Sequence, residues 1–103
     1  MTTSKSSDTL NVVVRGDSMW PTICDGDEVP CEVDVSLNVG DVVLSIHPLK
    51  PNTKIVKRIT KIDSRGKFFL EGDNPDPIGS TDSHAFGYVA LDQIIGRIIF
   101  FDS

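Results

Sequence analysis

Apolar positions in this chain come in short runs, each ended by Gly, Pro, Asn or Asp. "LNVVVRG", from Leu10 to Gly16, is the first run, and "DEVPCEVDV", from Asp27 to Val35, is the second. Pro30 cannot donate to a strand ladder, so it predicts a sheet edge or a bulge there. "GDVVLSIH" follows the turn signal "NVGD", and a loop with two prolines, "PLKPN", comes next. "TKIVKRITKID" is the longest alternating segment. "SRG" then turns the chain into "KFFLEG". A long polar loop, "DNPDPIGSTDS", precedes "FGYVALDQIIGRIIFFD", which predicts one or two strands. No window keeps a 3.6-residue apolar period, although "ALDQII" suits one helical turn. The pattern predicts a mainly β domain. We divide the chain into a flexible polar arm over residues 1–9 and one domain over residues 10–103.

The alternation in "KIVKRITKI" puts Ile55, Lys57, Ile59 and Lys61 on one strand face, and Val56, Arg58, Thr60 and Ile62 on the other. Lys57 is therefore flanked by isoleucines on its own side. Two readings remain open for it. At a sheet edge its stem would pass the isoleucines and its ammonium would reach water. If buried, it would lose affinity for its proton and suit a general base.

Composition narrows the function. The chain has 103 residues, 39% hydrophobic and 24% charged, which suits one modest core. Its net charge is −5, which argues against nucleic acid or an anionic membrane as partner. No apolar run approaches the roughly 20 residues of a membrane-spanning helix. The polar start "MTTSKSSDTL" lacks the apolar centre of a signal peptide. These readings predict a cytoplasmic protein without an integral membrane segment. Cys24 and Cys31 do not form a CxxC motif, and a disulfide between them stays open. No metal or other cofactor is expected. Asp73, Asp76 and Asp82 lie in a Gly-containing loop, but without the spacing of a calcium loop.

The candidate nucleophile lies in "GDSMWPT", from Gly16 to Thr22. Ser18 has no histidine near it in sequence, and a serine hydroxyl needs a base. A Ser18–Lys57 pair would give the serine its base and the lysine a reason to be buried. Met19 suits the core. Trp20 suits either the core or an exposed contact with substrate or membrane.

Five blocks of the chain, in order, resemble the type I signal peptidases and their soluble relatives. They are "GDSMWPT", "CDGDEV", "GDVVLSIHP", "KIVKRI" and "EGDNP…STDSHAFGYV…IIGRI". Within that group the chain resembles the nickel-type superoxide dismutase maturation proteases. The resemblance implies a signal peptidase-like core of bent antiparallel sheets, shared with self-cleaving repressors. It implies a serine endopeptidase in which Ser18 is the nucleophile and Lys57 the base. Ser80 would orient the lysine, and Arg58, Asp73 and Asp82 would brace the site. The Ser18 backbone N–H would hold the oxyanion. A serine supplies a second donor in some relatives, where this chain has Gly16. His84 stands where many relatives have arginine, opposite Asp82. The implied partner is the precursor of nickel superoxide dismutase, whose leader would be removed by a monomeric enzyme. A self-cleaving protein is the alternative, but the arm contains no Ala-Gly bond to cut.

Overall fold

The computed structural model describes residues 9–75 and 82–100. Six strands form one antiparallel sheet: β1 (Thr9–Val13), β2 (Glu28–Glu32), β3 (Val42–His47), β4 (Lys50–Ile62), β5 (Phe68–Glu71) and β6 (Ile94–Ile98). Their order across the sheet is β1-β2-β6-β3-β4-β5. The expected mainly β architecture is observed, as one curled sheet. Two short helical elements complete it: α1 (Ser83–Phe86) and a 3-10 turn at Leu91–Gln93. The turn falls within "ALDQII". Helix α1 is not apparent from the apolar pattern, because four residues are too few to show a period.

Alternation in the central strands supplies both faces with apolar side chains. On one face Val42, Leu44, Met19, Ile23, Cys31 and Ile98 pack together, joined by Val56. On the other, Val43, Ile59, Phe68, Leu70 and Val89 form a second cluster, joined by Ile55. Lys57 shares the face of Ile55 and Ile59, and only 3% of its surface is exposed. The reading that carries the Lys57 ammonium to water is thus wrong. Lys57 is opposite Val43 in the β3–β4 ladder.

Pro30 calls for a correction as well. Strand β2 lies between β1 and β6, not at an edge. The Pro30 carbonyl accepts from the Ile99 N–H at 2.8 Å, at the end of the β2–β6 ladder. Amide and carbonyl of one strand residue point the same way, so the missing N–H falls where the ladder has finished.

Strand β4 is paired differently along its two halves. Toward β3 it pairs over most of its length, with Val42 opposite Arg58 and Ile46 opposite Lys54. Toward β5 it pairs only from Arg58 onward, with Glu71 opposite Arg58 and Phe68 opposite Ile62. Among the described residues, no strand pairs with the other edge of Lys54–Lys57. The outer edge of β1 is likewise unpaired among them. These two free edges line one groove of about 560 Å³, although β2, β6 and β3 separate the strands within the sheet. Only a curled sheet can bring its first and fifth strands to one groove.

Candidate active site

A loop between β1 and β2 carries Ser18. Its base is tied off where Val14 N–H donates to the Asp27 carbonyl at 2.8 Å and Gly26 N–H donates to the Val14 carbonyl at 2.7 Å. Gly16 has φ +84°, a left-handed conformation that an L side chain rarely adopts. Its N–H donates to Asp25 Oδ1 at 2.7 Å, and Cys24 N–H donates to Asp27 Oδ2 at 2.8 Å. The acidic residues of "CDGDEV" therefore stitch the loop together. Met19, fully buried, pins it to the core, as its sequence context predicts. Trp20 is half exposed, and a cis peptide joins it to Pro21.

The "EGDN" segment after β5 clamps this loop from the other side. Asn74 N–H donates to the Ser18 carbonyl at 2.9 Å, and its side-chain amide donates to the Asp17 carbonyl at 2.7 Å. A Cβ at Gly72 would lie 2.5 Å from the Ser18 carbonyl oxygen, so only glycine allows this approach. Asp73 takes Arg58 in two bonds, Nε at 2.8 Å and Nη2 at 2.7 Å, and Thr22 Oγ1 at 2.6 Å. Arg58 and Thr22 hold the Asp73 carboxyl below the usual carboxylate range, Arg58 most strongly. Arg58 Nη1 also donates to the Gly40 carbonyl at 2.6 Å. Arg58 and Asp73 thus pair with each other beside the Ser18 loop. Thr22, Gly72 and Asn74 lie in the quoted blocks, but their roles are not legible there.

Ser18 Oγ donates to the Val56 carbonyl at 3.4 Å, a long bond that leaves the hydroxyl loosely held. Val56 is the residue immediately before Lys57, and Ser18 and Lys57 line the same groove. Burial lowers the Lys57 pKa from its ordinary 10.5, and the negative charge of Asp82 partly opposes that shift. Asp82 also caps α1, accepting from His84 N–H at 2.9 Å. The His84 ring approaches Asp82 Oδ1 through Nδ1 at 3.0 Å and Glu71 Oε1 through Nε2 at 3.8 Å. Ser80 and Asp76 lie outside the described residues. Among those that are described, Ser18, Lys57, Arg58, Asp73 and Asp82 come to one region. Cys24 and Cys31 are both free thiols, and burial raises the pKa of Cys31. His47 stays apart: it is buried against Phe86, and its Nδ1 accepts from Leu49 N–H at 3.1 Å.

The groove thus holds a serine and a buried lysine on a curled antiparallel sheet. The chain belongs to the Peptidase S24-like family, whose model matches residues 1–99. It is similar to mitochondrial inner membrane protease subunit 1 of Xenopus tropicalis, 32% identical over 110 residues that cover 84% of this chain and 65% of that protein. The Homo sapiens protein of the same name is 31% identical over 113 residues, covering 86% of this chain and 66% of its own length. The chain therefore spans slightly less than two thirds of the curated relatives it matches. No helix among the described residues is long and apolar enough to cross a membrane.

Proposed function

We propose that the chain is a serine endopeptidase that processes a protein precursor, with Ser18 as nucleophile and Lys57 as general base. The observation that carries this reading is the contact of the Ser18 hydroxyl with the carbonyl next to a buried lysine, inside one groove. The family membership supports peptidase chemistry. Lys57 Nζ takes the proton from Ser18 Oγ as it attacks the scissile carbonyl. Lys57 then delivers that proton to the leaving amine and activates the water that frees the acyl group. By resemblance, the Ser18 N–H is proposed as one donor to the oxyanion. The Gly16 N–H is occupied by Asp25, so a second donor must come from elsewhere. Ser80 is proposed to hold the Lys57 amine in line, by resemblance alone.

The substrate enters extended. Ile59 exchanges hydrogen bonds with Asp41 and Gly40 on the β3 side of β4. Strand amides alternate in direction, so Lys54 and Val56 direct theirs into the groove. A peptide laid there gains backbone bonds from β4 and from the outer edge of β1.

The particular substrate we propose is the leader of a nickel superoxide dismutase precursor, on the resemblance of the five blocks. Incubation with that precursor, followed by mass spectrometry, tests it. The expected product is a new N-terminus at the leader junction, absent with Ser18→Ala. An intact precursor, with Ser18 still labelled by a serine-directed probe, would keep the peptidase and remove this substrate.

A further inference from the structure

The charges of the groove do not follow those of the chain. The protein holds 15 acidic and 10 basic residues. Yet the charged residues lining the groove are Arg15, Lys54 and Lys57, and no carboxylate lines it among the described residues. Arg15 and Lys54 are exposed, and neither forms an ion pair with another described residue. The remaining lining is mostly aliphatic, including Val12, Val14, Leu44 and Val56. Low-dielectric walls with one sign of charge concentrate the opposite charge. Asp17, next to Ser18 in the chain, is exposed and does not line the groove, while Asp25 and Asp27 turn to backbone N–H groups of the loop.

We propose that this groove selects extended peptides carrying an acidic side chain on the groove side of the scissile bond, and that Arg15 and Lys54 recognise it. The proposal rests on the peptidase reading of Ser18 and Lys57 and adds its substrate class. Lys54 is three residues before Lys57 on β4. At ~3.3 Å per residue it stands about 10 Å along the strand, so the preferred acid lies roughly two to four residues from the bond attacked. The preference is therefore for a position, not for total negative charge.

A proteome-derived peptide mixture, digested and sequenced by mass spectrometry, supplies cleaved parent sequences. One parent is then remade with Asp, Ala or Lys at each position near the bond. Initial rates at low substrate give kcat/KM ratios, read at low salt and at high salt. The expected result is an Asp-over-Lys ratio of about tenfold at one position on one side, from two rim ion pairs. High salt should shrink it. The double variant Arg15→Glu/Lys54→Glu should invert it, and Arg15→Gln and Lys54→Gln should each reduce it. A flat profile, or one the variants leave unchanged, overturns the proposal while Ser18-dependent cleavage preserves the peptidase. Cleavage that survives Ser18→Ala, or no cleavage at all, overturns the peptidase reading and this proposal with it.

Discussion

The two halves of β4 have the same sequence character and different partners. From Arg58 to Ile62 the strand pairs with β5, Arg58 and Ile59 are also held on the β3 side, and Arg58 is tied to Asp73. From Lys54 to Lys57 it is bonded toward β3 and faces an open groove on the other side. Lys57 stands at the junction. The closed half holds it inside the sheet, and the open half gives its neighbourhood access to a peptide. Precision and access would conflict in one fully paired or one fully free strand. Here they are divided along a single one.

The harshest test acts at the junction. Lys57→Met keeps an unbranched stem of similar reach and removes the amine. Proteolysis should fall by about 10⁴-fold or more, and the double variant with Ser18→Ala should be little worse, because the two act as a unit. Thermal unfolding should show no loss of stability, since a buried charge is removed. The sign follows from the lowered pKa. The folded state resists the proton that the unfolded chain binds, so stability rises with pH between the folded Lys57 value and 10.5, and the penalty is complete below the folded value. Lys57→Met should lack that rise. In the unmodified protein, kcat should increase with pH through an apparent pKa below 10.5. An active Lys57→Met would end the base assignment.

Gly72→Ala tests whether the closed half aims the serine. The new methyl must displace the Ser18 carbonyl. A shift approaching 1 Å should cost about 10² in kcat, with KM changing less. Equal turnover would mean that the loop position is not critical.

Backbone N-methylation of a cleaved peptide tests the open half directly. Each methyl deletes one donor to a groove edge. One lost bond, at roughly 1 kcal/mol, should reduce kcat/KM by about fivefold to tenfold, at alternate positions only. A loss that is uniform along the peptide would argue against strand pairing.

Asp73→Ala has the mildest effect on chemistry and reads out in stability. It removes the Arg58 and Thr22 bonds, a loss of about 2 kcal/mol, so the melting temperature should drop by several degrees. The lowered Asp73 pKa gives a second check. Its contribution is present above the unfolded carboxyl value of 3.8 and is lost as pH falls through the folded one. In Asp73→Ala that part of the acid sensitivity should vanish.

Local pattern carries part of this comparison and not the rest. Ile55 and Ile59 announce the apolar face of Lys57, because strand alternation is a rule of nearest neighbours. Met19 is likewise legible as core. Pro30 misleads, since whether a strand is at the edge depends on β6, contributed by residues 94–98. The Asn74 bonds to Asp17 and Ser18 span 57 positions in one case, and nothing in either segment alone specifies them. Gly72 reads as an ordinary turn until the Ser18 carbonyl is seen above it. The open half of β4 is the least legible feature. An unpaired edge is a property of where β5 stops, and β5 contains only Phe68–Glu71.

The short span of β5 also bears on self-association. An edge left open to a peptide is open to any extended chain, including the same strand of a second molecule. The residues leading into the open half are Lys50, Pro51, Asn52, Thr53 and Lys54, all exposed. Pro51 offers no N–H, and two lysines brought against their own copies repel. The β3–β4 register also shifts here, between Ile46 and His47, which spoils a flat template. These residues form a guard at the groove entrance. They let a short, suitably charged peptide complete the sheet, and they oppose the growth of that sheet from one molecule to the next.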